Sequence, residues 1–226
     1  MDFMKLLKSL EELLYELVSW LVFYPITIWR SVVRPLEMMR YADIELADTA
    51  EDQYDDTLSP PLFLLITLLI AQALSTAIPS VYDPSTAPKA LSSGSNLLIA
   101  RGVIFSVFPL VMAVTILRRK SMRLTRNSLR PPFFSQCYVV APFVLLAGLA
   151  LDLMLIPGQK WIPAGLITLL IALAWYAQAE IRWFKRDLRI GTPLAVGLFV
   201  RALGIAFVTT LALALLIGWG FQNWSP

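Results

Sequence analysis

The residues able to do chemistry are few and unevenly placed. The chain has no His and a single Cys, at Cys137, which excludes a His-based triad, a His/Cys zinc site, a bis-His haem and an internal disulfide. Its Ser, Tyr and Asp residues form no recognisable nucleophile–base constellation, and no Gly-rich phosphate loop is present. No catalytic residue, metal ligand or cofactor is expected, and the chain reads as a non-enzyme. Two sets of charges remain. Arg101, Asp152, Glu180 and Arg201 fall within or at the ends of long apolar runs, and seven carboxylates (Asp43, Glu45, Asp48, Glu51, Asp52, Asp55 and Asp56) crowd one short segment.

An ionisable group at bilayer depth costs on the order of 2.5–3.5 kcal/mol on insertion scales, so each of the four needs a partner or a task. Arg101 and Asp152 each lie about one turn inside the outer end of an apolar run, close enough in depth for an interhelical ion pair. Arg201, about two turns from the inner end of the last run, would either snorkel or meet Glu180 on the preceding helix. The functional alternative is a proton or ion path, against which the lack of His and of a mid-bilayer carboxylate weighs. The acidic strip contains no Gly, so it lacks the sharp turn of a calcium loop. It reads as a solvated connector, extended or marginally helical through like-charge repulsion, and its functional reading is a docking strip for a basic cytoplasmic protein.

The elements that must position these groups follow from composition. At 58% hydrophobic and 15% charged residues, with a mean hydropathy of +0.68, the chain departs from the soluble average in the direction of a membrane protein. Five runs are long enough to cross a hydrocarbon core of roughly 30 Å as helices: 60–80, 97–117, 136–156, 161–180 and 194–219. Strand alternation is absent and the runs are too long for barrel strands. The fold class is therefore all-α: a polytopic membrane helix bundle of five spans (60–220), preceded by an amphipathic arm (1–35) and an acidic cytoplasmic connector (36–59), and ending in a short tail (221–226).

Charge sets the orientation. Of 19 Lys and Arg, 15 flank the spans on the N-terminal side of the membrane and two on the other, with Arg101 and Arg201 inside spans. The positive-inside rule then puts the N-terminus in the cytoplasm and the C-terminus in the periplasm of a bacterial inner membrane. The basic clusters lack interleaved aromatics, so nucleic acid is not an expected partner. No cleavable signal peptide is read at the start, where Lys5 and Lys8 mix with Glu11, Glu12 and Glu16.

Within the arm, apolar residues recur at helical spacing from Phe3 through Leu21, and the run turns apolar on all sides from Leu17 to Trp29. That stretch contains Pro25 and is short for a span, so the arm is expected to lie in the cytoplasmic interface or dock on the bundle; a sixth span over 13–29 is the alternative. In the last run Ala202, Ala206, Thr210, Ala214 and Gly218 repeat every four residues, a small-residue stripe suited to close packing within the chain or to a homo-oligomer. Pro109 and Pro142 lie inside their spans, where they can kink helices.

Two short motifs carry a resemblance: Leu58-Ser59-Pro60-Pro61-Leu62-Phe63 at the entrance of the first span, and Tyr138-Val139-Val140-Ala141-Pro142, a Tyr-x-x-x-Pro pattern in the third. With five spans and a cytoplasmic N-terminus, the chain resembles the Yip domain family of membrane proteins over about 57–218. The resemblance implies a five-span bundle and, from the eukaryotic members, a link to vesicle traffic and small-GTPase partners; the long arm of this chain departs from that pattern. The chain is also similar to small bacterial membrane proteins labelled permeases on topology. The sequence thus points to a non-enzymatic scaffold, assembly partner or membrane-organising factor whose partners are the lipid bilayer and a cytoplasmic protein at the connector. A small permease subunit is the alternative.

Overall fold

A computed structural model describes residues 2–49, 53–78, 94–158 and 160–224, with backbone alone for residues 2, 3, 6, 94–102, 218 and 220–224. Among the described residues there are seven helices and no strand: α1 (Asp2–Val33), α2 (Pro35–Glu45), α3 (Pro60–Ala77), α4 (Gly94–Arg119), α5 (Arg126–Met154), α6 (Trp161–Asp187) and α7 (Thr192–Trp224). Four of them, α3, α5, α6 and Thr192–Ile217 of α7, are long and apolar enough to cross a membrane. The chain is an all-α, membrane-type bundle.

Proline and polar caps set the helix boundaries. Pro35 disfavours a helical conformation at Arg34 (φ −132°, ψ 57°), so α1 stops there and α2 begins with Pro at its first position. Pro60 and Pro61 open α3 in the same way after an extended Ser59. At α5 the Thr125 hydroxyl accepts from the Ser128 amide while Ser128 Oγ accepts from the Thr125 amide, a reciprocal cap. That cap starts the helix ten residues before the expected span at 136, so Arg126–Ser135 is helical and not the end of a basic loop.

Helix α5 is the hub, packed against α3, α4 and α6 and against α2 and part of α1. From Ser135 to Val144 every residue of α5 is buried, as a helix surrounded on all sides must be. Around it Phe63, Leu68, Met112, Ile116, Tyr176 and Phe184 complete the core. Gly165 lets α6 approach α5: a Cβ there would sit 2.6 Å from the Ala150 carbonyl oxygen and 2.5 Å from Met154 Cγ. The outer surface is apolar, with Leu166, Ile167, Leu170 and Ile171 on α6 and Phe207, Val208, Leu211 and Leu215 on α7 all exposed. A patch of that extent on a helix bundle is suited to hydrocarbon.

The arm and connector do not behave alike. Met4, Lys5 and residues 7–18 of α1 are exposed on every face, whereas Trp20, Phe23, Tyr24 and Ile28 pack on the bundle and Thr27 and Ser31 are buried. The connector is helical only in its first part, and the described residues of the acidic strip beyond Glu45 are turns and irregular chain. Residues 35–45 are helical, and Met38, Met39 and Ala42 of α2 are buried against α5 and its neighbours. Burial of these apolar side chains outweighs the repulsion between exposed carboxylates, which water screens.

Candidate functional site

The site is assembled from the N-terminal half of α5 and the C-terminal half of α6, roofed by the connector. On α6, Tyr176, Glu180 and Trp183 recur at helical spacing and share one face. On α5, Gln136 meets that face: its Nε2 donates to Glu180 Oε2 over 3.2 Å. All four side chains are buried, Gln136, Tyr176 and Glu180 completely. Four of their polar atoms have no hydrogen-bond partner among the described residues: Gln136 Oε1, the Tyr176 hydroxyl, Glu180 Oε1 and Trp183 Nε1. Buried polar atoms are nearly always satisfied, so four orphans in one place mark a site able to hold a proton or a polar guest.

Aromatic rings and a groove bound the cluster. Tyr176 stacks on Phe143 with centroids 4.4 Å apart and meets Phe199 edge-on, while Phe108 packs on Phe143. These rings close one side. On the other, Trp183 walls a groove of about 330 Å³ that also contains Asp43, Lys120, Ser135 and Asp187. Within it Lys120 Nζ bonds Asp187 Oδ1 at 2.7 Å, and the Ser135 hydroxyl donates to Asp43 Oδ1 at 2.8 Å.

A second polar layer fastens the connector over the bundle. The Tyr138 hydroxyl donates to the Leu58 carbonyl over 2.8 Å and lies 3.3 Å from Thr57 Oγ1. Thr57 in turn donates to the Tyr41 hydroxyl, which donates to Asp56 Oδ1 at 2.6 Å. Arg30 grips the other oxygen of Asp56 at 2.7 Å, and the Leu58 amide donates to Thr27 Oγ1. The Tyr54 amide, in a left-handed turn (φ 64°), donates to Glu45. Partial burial works against the charge of Asp56, but the bonds from Arg30 and Tyr41 outweigh it and hold the carboxyl below its ordinary value. Burial and then the Asp56 bond push the Tyr41 hydroxyl up; burial and then Glu45 do so for Tyr54. Both phenols therefore stay protonated across the physiological range and serve as donors.

The residues singled out by the sequence lie in separate parts of the bundle. Of the two alternatives for Arg201, the pairing with Glu180 is not formed: the carboxyl is buried on the face turned to Gln136, whereas Arg201 is exposed and lies with Arg118 and Arg119 in a different cavity between α4 and α7. Asp152 accepts from Ser75 of α3 at 2.8 Å; the side chain of Arg101 is outside the described residues. Of the acidic strip, Asp43, Glu45 and Asp56 bond within the fold, Asp48 and Asp55 are exposed, and Glu51 and Asp52 are outside the described residues. In the small-residue stripe, Ala202 and Ala206 are buried in the bundle, Thr210 is partly exposed, Ala214 is exposed, and Gly218 has only its backbone described. Cys137 is completely buried.

Sequence reasoning missed Gln136, Tyr176 and Trp183. The i, i+4, i+7 spacing of Tyr176, Glu180 and Trp183 gave a signal for the α6 face, but nothing in the sequence names Gln136 as its partner. Tyr138 and Leu58, from the two separate motifs, are brought into direct hydrogen-bond contact. No protein-family model, curated protein or solved structure matches the chain.

Proposed function

We propose that this chain is a non-enzymatic scaffold or assembly factor of a bacterial inner membrane, with five spans, a cytoplasmic N-terminus and a periplasmic C-terminus. The fifth span in this reading is α4, whose 26 residues rise about 39 Å and pass antiparallel to α5 through a short basic turn. The observation that carries the reading is the arm. Leu7, Leu10, Leu14, Leu17 and Leu21 are all exposed on a helix that runs beyond the bundle, so its apolar stripe is available to the inner leaflet or to another protein. Asp48 and Asp55 extend the same cytoplasmic face with negative charge. The exposed end of the small-residue stripe around Ala214 leaves room for a second copy of the chain.

A photo-crosslinking residue at Leu10 or Leu14, and another at Asp48, tests this in intact cells. The scaffold reading expects lipid adducts or one defined protein adduct at the arm and a basic protein at Asp48. Absence of adducts from both would overturn it.

The buried cluster favours a second reading, a small permease. A carboxyl with one amide partner and one free oxygen, reached past Trp183 from a water-accessible groove, is the arrangement a proton-coupled carrier needs. Flux of a solute or of protons in reconstituted vesicles that disappears in Glu180→Gln, with thermal stability retained, would establish this reading in place of the first.

A further inference from the structure

We infer that the cavity between α4 and α7 is a binding site for the phosphate of an anionic phospholipid in the cytoplasmic leaflet. Three guanidinium-bearing residues from two helices, Arg118 and Arg119 of α4 and Arg201 of α7, line one cavity of about 200 Å³ together with Thr115. Among the described residues no carboxylate lines it and none of the three arginines is in an ion pair. Cations gathered without a counter-charge repel one another, and near hydrocarbon that repulsion is poorly screened. An anion in the cavity removes the repulsion, and phosphate matches the forked donors of arginine with paired oxygens.

Depth and lining select a lipid over a free anion. Arg118 and Arg119 close α4 where its apolar run ends, which is the level of the headgroups in a helix that fills the hydrocarbon layer. Arg201 shares their cavity and hence their depth, although it lies ten residues into α7. Below it on the same face of α7, Ile205 and Val208 are exposed and apolar, in the i, i+4, i+7 register that continues the arginine toward the bilayer centre. A headgroup seated on the arginines would lay its acyl chain along those two side chains. Inorganic phosphate shares the headgroup chemistry but has nothing to place there. Another basic pair, Arg126 and Arg130, faces a separate and wider cavity in which Arg130 stacks over Phe134.

The test uses the purified full-length protein, delipidated in a neutral detergent and titrated with phosphatidylglycerol, phosphatidylcholine or inorganic phosphate, with bound lipid counted by native mass spectrometry and stability followed by thermal unfolding. Phosphatidylglycerol should bind at one strong site per chain and raise the unfolding temperature, phosphatidylcholine and inorganic phosphate much less. Arg201→Gln and Arg118→Gln should each weaken that site by about tenfold. A matched control on the exposed face of α6, Lys185→Gln with Arg186→Gln, should leave it unchanged, and Arg201→Lys should recover part of the binding. Equal protection by inorganic phosphate would overturn the lipid assignment. Equal loss in the control, or phosphatidylglycerol binding that survives Arg201→Gln with Arg118→Gln, would overturn the site.

Discussion

Replacing Tyr138 by Phe removes one oxygen and leaves the ring in place, which makes it a sharp probe of how the connector is held. The ring keeps its contacts with Phe63 and Tyr41, at centroid distances of 5.8 and 6.4 Å. What disappears is the donor to the Leu58 carbonyl, together with the weaker contact to Thr57 Oγ1, which retains Tyr41 as a partner. Leu58 is buried at 4% exposure, so its carbonyl cannot turn to water. Orphaning a buried acceptor costs about 1–3 kcal/mol, whereas truncating the whole aromatic side chain would cost about 3–5 kcal/mol. Tyr138→Phe should therefore fall in the lower range and Tyr138→Ala in the upper. Thermal unfolding in detergent or nanodiscs reads the difference, and a protease acting on residues 46–57 should cut the Phe variant faster than the wild type. A double-mutant cycle with Tyr41→Phe adds a second check, because the two hydroxyls meet through Thr57 and should couple by about 0.5–3 kcal/mol. A Tyr138→Phe variant as stable and as protease-resistant as the wild type would refute the reasoning.

Other outcomes follow from the same contacts. Gly165→Ala should destabilise the bundle by about 1–3 kcal/mol, since the added carbon meets the Ala150 carbonyl oxygen at 2.6 Å and the backbone there cannot yield cheaply; wild-type unfolding behaviour would contradict the close approach. The Asp56 carboxyl is held below its unfolded value, so the stability it contributes is present above the ordinary carboxylate range of about 4 and is lost as pH falls through the lower folded value. Unfolding followed across that acid window should show a loss that Asp56→Asn abolishes, and an unchanged slope in the variant would count against the latch. Gln136→Leu should cost about 1–3 kcal/mol because it leaves both oxygens of Glu180 without a donor, and pairing it with Glu180→Leu should recover much of the loss; additive losses would mean that the two residues do not act together.

The apolar runs made the helical bundle legible because hydrocarbon tolerates so few polar residues that length and composition alone locate candidate spans. The start of α5 was less legible: Arg126 and Arg130 resemble loop charge, and the Thr125–Ser128 cap that begins the helix is a weak local pattern. The contacts of the connector were hidden for a different reason. Its carboxylates suggest a solvated strip, but Asp56 finds Arg30 from 26 residues away and Asp43 finds Ser135 from 92 residues away, and such pairings depend on topology and not on spacing. Glu180 was recognised as a charge at membrane depth, but pairing it with Arg201 required the rotation of two helices about their axes, which a linear pattern fixes poorly. The buried face of α6 settles it: Tyr176 and Trp183 flank the carboxyl, and Gln136 is the residue opposite.

The account stands on an odd number of crossings that begins in the cytoplasm. Matched reporters, one fluorescent only in the cytosol and one active only in the periplasm, fused in turn before Met1 and after Pro226, measure this directly. Cytosolic signal at the first position with periplasmic signal at the second is the predicted result; cytosolic signal at both would contradict it.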